Sequence, residues 1–191
     1  VLIPPLYNKK VHKPINKNIN KRIFKRDILL IGTWFPDRGK FAKKLIDLGL
    51  KFDIYGPHWH KDMNYNYLKN YIRQNKKMIG YRYSKLISES KIVISFPNTH
   101  NDDDITNKSL EIPAIGSLLL AKNTKSHREI FKQSEDAFLF KNVNDCFKIC
   151  NYLLKNMNIV KKVSIIGHKK IVSNPKFDYE KNLIKLIKKF N

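Results

Sequence analysis

Cysteine is nearly missing from this chain, with only Cys146 and Cys150 in 191 residues. Two thiols four positions apart, without a second pair, make neither a zinc site nor a disulfide framework. They read as reduced core thiols of a cytoplasmic protein. No apolar run approaches the roughly 20 residues of a membrane span, and the basic start lacks the apolar core of a secretory signal. Glycine is limited to 7 residues, none in a G-x-G-x-x-G or G-x-x-x-x-G-K-[ST] arrangement. That sets aside dinucleotide oxidoreduction and P-loop hydrolysis as leading readings. Acid is scarce too: 16 Asp and Glu face 38 Lys and Arg, a net charge of +22. Such a surplus suggests nucleic acid, yet Arg, the better reader of bases and phosphates, appears only 6 times.

What is abundant is Lys, Ile and Asn, together 76 of the 191 residues, with the Lys scattered rather than gathered in one stripe. This is the bias of AT-rich coding sequence combined with a preference for anionic ligands. Nucleic acid is therefore not expected as a partner, and a peripheral contact with an anionic membrane surface stands beside it as a second alternative. An apolar share of 42% and an aromatic share of 12% describe a globular chain. The length suits one domain plus an extension. Residues 1–26 carry three Pro, many Lys and Asn, and no sustained period. They are expected to be a linker or extension from a preceding N-terminal domain.

From Asp27 the pattern changes, and residues 27–191 read as one domain. "DILLIG" is a continuous apolar run ending in Gly, as a strand covered on both faces should be. "GKFAKKLIDLGL" puts Phe41, Leu45 and Leu48 on one helical face, and "KFDIYG" is the second strand. A third strand is expected over "KKMIG", then a helix through "YSKLISESK", a buried strand "IVISF", and another, "SLLLA". "TKSHREIFKQ" reads as a helix with a Thr or Ser cap, "AFLF" as a short strand, and "NDCFKICNYLLKN" and "DYEKNLIKLIKKF" as amphipathic helices. Strands alternating with helices predict an α/β fold, a Rossmann-like, doubly wound parallel sheet.

Ligands of such sheets lie beyond the carboxyl ends of the strands. In "GTWFPDRG", Gly32 lets the backbone approach closely, and Arg38 and Lys40 open the next helix as a phosphate grip or as solvated cations. In "DDDITNKSLEIPAIG", Asp103 and Glu111 stand eight positions apart. Asp102 or Asp104 is expected to cap a helix beginning near Ile105, with Glu111 two turns in. Glu111 suits a bidentate hold on vicinal hydroxyls such as those of a ribose, with Asp103 facing another part of the same ligand. The alternative is that the acids only cap the helix and balance local Lys. "HWH" (His58, Trp59, His60) lacks partners for a metal, so no metal site is expected. Trp59 is expected on a ligand rim or in an ordinary surface loop. His127 is expected as a surface capping residue, with a phosphate contact as the alternative, and His168 as structural.

Three blocks carry a resemblance: "GTWFPDRGKFAKKLIDLGLKFDIYG", "YSKLISESKIVISFP" and "DDITNKSLEIPAIGSLLLA" resemble the spore-maturation, CgeB-type glycosyltransferases, relatives of the retaining GT-B enzymes. The resemblance implies the C-terminal, donor-binding half of a GT-B fold, a nucleotide-diphosphate sugar as donor substrate, and glycosyl transfer without a bound metal or other cofactor. It also implies an N-terminal acceptor-binding domain and a glycan or small-molecule acceptor. Glu111 matches the second acid of the Glu-(seven residues)-Glu signature, which holds the donor ribose, and Asp103 the first, which meets the sugar. Arg38 matches the diphosphate-gripping cation, and Thr33 lies where many relatives carry a second phosphate-binding Arg. Gly80, Tyr81 and Tyr83 match the nucleobase segment, while Asn107 and Lys108 stand where relatives often read Thr-Arg. Asp103, Arg38 and Lys108 are thereby the implied catalytic set. Asp in place of Glu is shorter by a methylene, and Lys in place of Arg loses a bidentate fork. A nucleotide- or glycan-binding module without turnover is the alternative those two departures motivate.

Overall fold

The computed structural model describes residues 5–16, 19–96 and 104–190. Six parallel strands form one sheet in the order β3-β2-β1-β4-β5-β6. They are β1 (Arg26–Ile31), β2 (Asp53–Tyr55), β3 (Ile72–Gln74), β4 (Ser90–Ser95), β5 (Leu118–Lys122) and β6 (Phe138–Phe140). Helices α1 (Pro36–Asp47), α2 (Tyr65–Leu68), α3 (Gly80–Ser88), α4 (Lys108–Ile115), α5 (Lys125–Ile130) and α6 (Val143–Lys155) fall between or after the strands, and α7 (Met157–Ser173) and α8 (Tyr179–Phe190) end the order. This is the doubly wound α/β arrangement expected from the alternation of elements.

Period-2 alternation splits the strands between two cores. Ile28, Leu30, Ile92, Ile94, Leu118 and Leu120 face Ala42 and Leu45 of α1 and Cys146, Cys150 and Leu153 of α6. Leu29, Ile31, Val93, Leu119 and Ala121 face the opposite way, onto Leu86 and Ile87 of α3 and Leu110, Ile112 and Ile115 of α4. Both cysteines are buried and unbridged. Burial of such side chains is worth roughly 1.5–3 kcal/mol each, and the unbroken apolar runs of β1, β4 and β5 exist because both faces are covered.

The third strand differs from expectation. It occupies Ile72–Gln74 and pairs with β2 through Ile54↔Ile72, whereas 76–79 lead into α3. Residues 76 and 77 are exposed lysines, so only the "YIRQ" stretch offers apolar side chains to that sheet edge. The first 26 residues, read from sequence as a linker, are tied to the domain at several of their described positions, although Ile23 is exposed. Tyr7 is buried and bridges to Asp178, with Tyr7 N donating to Phe177 O and Tyr179 N to Tyr7 O. The Arg22 guanidinium donates to the carbonyls of Ser88, Ser90 and Gly116 and to Ser117 Oγ. This segment thus runs down the α3–α4 face from the carboxyl ends of the strands to their amino ends.

Among the described residues no helix is long and apolar enough to cross a membrane. Helix α8 leaves Leu183, Ile184 and Ile187 exposed on a stripe opposite Lys181, Lys185 and Lys188.

The ends of β1 and β2 touch through glycine. Gly56 (φ +147) lies so near Gly32 that a Cβ there would collide with the Gly32 carbonyl, whereas Gly49 (φ +86) has nothing within 4 Å of that position. Gly49→Ala should therefore cost about 1 kcal/mol, the left-handed backbone penalty alone. Gly56→Ala should cost about 3 kcal/mol or more, adding a backbone collision. Equal losses in urea unfolding would refute this account of the β1–β2 contact.

Candidate functional site

The order of strands reverses between β1 and β4, the switch point where a doubly wound sheet leaves a crevice at its carboxyl edge. A hollow of about 290 Å³ opens there. Gly32 and Thr33 follow β1, Gly80 and Tyr83 begin α3, and Lys108 and Glu111 begin α4; all six line the hollow. Gly56 and Pro57, which directly follow β2, and Lys77 line it as well.

Helix α4 starts at Lys108 rather than near Ile105. Asp104, expected to cap it, is engaged with the next helix: its carboxylate accepts from Ser126 N and Oγ at 3.3 Å, and its carbonyl from Thr124 Oγ1 at 2.7 Å. Glu111 consequently sits in the first turn of α4, where the positive end of the helix favours a carboxylate, and not two turns in. Its Oε2 accepts from the Tyr83 hydroxyl at 2.6 Å. Burial first, and then the Glu111 carboxylate, push the Tyr83 phenol well up, so the phenol remains the donor of that bond. Glu111 Oε1 stands 3.7 Å from His12 Nε2.

Lys108 is three residues before Glu111, on the same helix face. Burial holds its pKa below the ordinary lysine value, the charges of Arg38 and Lys77 lower it further, and Glu111 acts the other way. Arg38 donates from Nη1 to Thr33 O at 2.7 Å and from Nη2 to Phe96 O at 3.4 Å. A Cβ on Gly32 would stand 2.9 Å from Arg38 Nη1 and 3.9 Å from Lys108 Cε. The space a side chain on Gly32 would take is thus the space into which both cations reach. Arg38 itself lines a neighbouring hollow with Lys40, Lys44 and Lys122, over a floor of Phe41, Phe96 and Phe140. Lys108, and not Arg38, is the cation that shares the hollow with Glu111.

Two other expected residues, Tyr81 and Asn107, do not line the hollow. Tyr81 is 65% exposed and outside the hollow. Asn107 Oδ1 accepts from Leu6 N at 3.1 Å, tying down the N-terminal segment. Asp103 lies outside the described residues.

Two further expectations are corrected. Trp59 is fully buried and donates from Nε1 to Gly32 O at 2.9 Å; it supports the site from beneath instead of forming a rim. His127 is buried, not a surface cap, because it bridges two helices. Its Nδ1 meets Thr124 Oγ1 at 2.7 Å and its Nε2 meets Ser109 Oγ at 2.8 Å. Thr124 already donates to Asp104 O, so the imidazole donates from Nδ1 and accepts at Nε2. His168 Nδ1 meets the carbonyls of Pro113 and Ala114, a structural contact as expected. Among the described residues, no group of three or more His, Cys, Asp or Glu is placed to hold a metal ion.

A family model described as glycosyl transferase-like matches residues 38–183. The chain belongs to that family. No curated protein matches its sequence. Its fold is similar to the C-terminal domain of a glycosyl transferase group 1 family protein (LpcC) from Francisella tularensis. That likeness has a TM-score of 0.67 at 13% identity and covers 88% of this chain and 97% of that domain. Alr3699/HepE from Anabaena, in complex with UDP and glucose, is similar at TM-score 0.73 and 10% identity, over 97% of this chain and 55% of that one. Sucrose-phosphate synthase from Thermosynechococcus elongatus is similar at TM-score 0.71 and 14% identity, over 100% and 51%. The chain thus spans about half the length of the latter two, and its sheet and helices are those of the C-terminal half of a GT-B glycosyltransferase.

Within this glycosyl transferase-like domain, the lining residues not singled out from sequence are His12, Ile31, Gly56, Pro57, Lys77, Met78 and Ile79. Gly56-Pro57 carried a signal, since a Gly-Pro pair directly follows the second strand. His12, in a segment without periodicity, carried none.

Burial pushes the His127 imidazole down to about 4 from 6.5. Its folded pKa lies below its unfolded one, so as pH falls from 6.5 the unfolded chain takes up the proton first. Stability should fall between pH 6.5 and about 4 by up to about 3 kcal/mol from this group, then level off. His127→Gln should give a shallower dependence in urea titrations across that window. An unchanged slope would remove His127 as its source.

Proposed function

We propose that this glycosyl transferase-like domain binds a nucleotide-diphosphate sugar and is the donor half of a CgeB-like enzyme that transfers the sugar without a bound metal. The observation that carries the reading is the pairing of Glu111 and Lys108 on one helix turn inside one hollow. A carboxylate oriented by Tyr83 suits two vicinal hydroxyls of a ribose, and a cation one turn away suits the adjoining phosphate. Lys77 and the backbone at Gly56 and Gly80 leave a slot for the nucleobase. The volume of about 290 Å³ is at the small end of the range for ligand sites; binding of UDP and glucose by Alr3699/HepE is further support.

Transfer requires negative charge on the departing diphosphate to be stabilised as the sugar gains oxocarbenium character. Lys108 and Arg38 lie together on the open side of Gly32, and Arg38 is held there by Thr33 O and Phe96 O before any ligand arrives, so that little reorganisation accompanies charge development. Preorganised cations of this kind can do the work for which other transferases use a divalent ion, and a retaining outcome is assigned on the resemblance alone. Asp103 is assigned to the sugar, on the resemblance alone. An acceptor-binding domain would face the same edge and supply the remaining chemistry, with the exposed apolar stripe of α8 as a surface for it. The buried, unbridged Cys146 and Cys150 accord with a cytoplasmic setting. The second reading, a nucleotide-holding module without turnover, is motivated by the resemblance: Lys108 stands where those relatives often read Arg, and it offers a single point charge instead of a fork.

Calorimetric titration with UDP, GDP and ADP tests the assignment. At least one should bind, and Glu111→Ala should lose about 1–3 kcal/mol of its affinity. No binding of any of the three, or binding indifferent to Glu111→Ala, would sink the donor-site reading. Arg38→Ala should weaken diphosphates more than monophosphates; equal losses would remove Arg38 from the phosphate grip. Binding that survives without sugar transfer in a complete two-domain chain would favour the module.

A further inference from the structure

The segment before the first strand reaches the hollow as well as the body of the domain. Leu6 N donates to Asn107 Oδ1 at the start of α4, Ser84 Oγ on α3 donates to Val11 O at 2.6 Å, and Lys9 and Lys10 pair with Glu180. Between these ties His12 projects onto the rim, its ring edge-on to Tyr83 with centroids 5.9 Å apart.

The protons of His12 are determined by its neighbours. Asn8 N donates to Nδ1 at 3.1 Å, so Nδ1 is an acceptor and the neutral ring carries its hydrogen on Nε2. That is the atom 3.7 Å from Glu111 Oε1, a separation too long for a hydrogen bond between them. Oε2 is occupied by Tyr83. The rim therefore presents a donor and an acceptor side by side, facing one point.

We propose that His12 is a specificity-determining residue of the donor site, its Nε2–H donating to the same ribose hydroxyl that donates to Glu111 Oε1. The inference rests on the donor-site reading above. One hydroxyl oxygen reaches both atoms at ordinary hydrogen-bond lengths, about 2.8–3.0 Å. Only a group that both donates and accepts satisfies the pair. An ether or carbonyl oxygen has no hydrogen for the carboxylate, an ammonium has no lone pair for Nε2–H, and a phosphate oxygen is repelled by Glu111. Of the other polar side chains lining the hollow, Lys77 and Lys108 are donors, the Tyr83 hydroxyl is spent on Glu111, and the Thr33 hydroxyl lies just past the end of β1. Burial, only partly opposed by Glu111, holds the His12 pKa below the usual histidine value, which keeps the ring neutral near pH 7.

The test separates recognition from mere anchoring of the strap. His12→Phe keeps a ring against Tyr83 and lacks the N–H; His12→Gln restores a donor. Affinities for whichever of UDP, GDP and ADP binds the wild type are compared with those for its 2′,3′-dideoxy analogue. His12→Phe should weaken the ribonucleotide about three- to tenfold, the worth of one neutral hydrogen bond, and leave the dideoxy analogue unchanged, with His12→Gln recovering part of the loss. Equal weakening of both ligands, or no weakening of either, overturns the role of His12. If Glu111→Ala erases the ribose preference while His12→Phe preserves it, the donor-site reading stands and this inference falls. A wild-type chain that binds none of the three nucleotides overturns both.

Discussion

The site depends on how closely two strand ends approach. Gly32 donates from its backbone N to Tyr55 O and accepts at its carbonyl from the buried Trp59 indole. Gly56 N is likewise occupied, by Gln74 O. The backbone polar groups of Gly32 are therefore spent on structure, and its contribution to the hollow is the absence of a side chain. That absence lets Arg38 and Lys108 approach one another over the same residue. Gly32 was expected to give a ligand's phosphate close access to the backbone; it lines the hollow and in addition makes room for two cations.

Holding those cations together opposes stability. Lys108 is pulled from water and felt by Arg38 and Lys77, all of one sign, and it stands at a helix start, where the dipole is also positive. Nothing about folding calls for this arrangement, because any uncharged residue of similar length would fill the position without repulsion. Glu111, one turn on, returns part of the attraction but is itself tied to Tyr83. An unfavourable cluster maintained at a crevice is the pattern of a site built for an anion that arrives later. The broader charge of +22 adds a long-range field that favours encounter with such an anion, without determining where it binds.

The parts of the fold legible in sequence share one physical cause. β1, β4 and β5 are covered on both faces, so their residues are continuously apolar, and α1 and α6 show a stripe because one side alone is buried. β3 was misplaced because it is three residues long at an edge, where pairing with Ile54 decides more than composition does. α7 was not anticipated because Gly167 interrupts it. A Cβ there would collide with Asp136 O, so close packing against that loop requires a residue that in sequence reads as a break. The start of α4 was displaced by three residues because Asp104 satisfies the next helix, a choice between two neighbouring caps that only tertiary proximity decides. For the site, Glu111, Lys108 and Gly32 were legible as residue types at strand ends. Trp59 was not, since a Trp between two histidines in a loop gives no sign that its N–H finds a carbonyl 27 positions earlier.

The same reasoning explains why the N-terminal segment read as a linker. Its ties are almost all polar: backbone bonds at Tyr7, the Leu6 bond to Asn107, the Arg22 fan over four acceptors, and Lys9 and Lys10 on Glu180. Polar ties leave no periodicity, because periodicity records apolar burial and these contacts bury little apolar surface beyond Tyr7. They nevertheless fix direction, and a strap anchored at Tyr7, Val11 and Arg22 has little freedom left at His12. Two of its ties, Leu6 N to Asn107 Oδ1 and Ser84 Oγ to Val11 O, end beside the turns that supply Lys108, Glu111 and Tyr83. His12 is thus placed at the hollow by neighbours of the residues that form it, which is why a segment without periodicity belongs to the site.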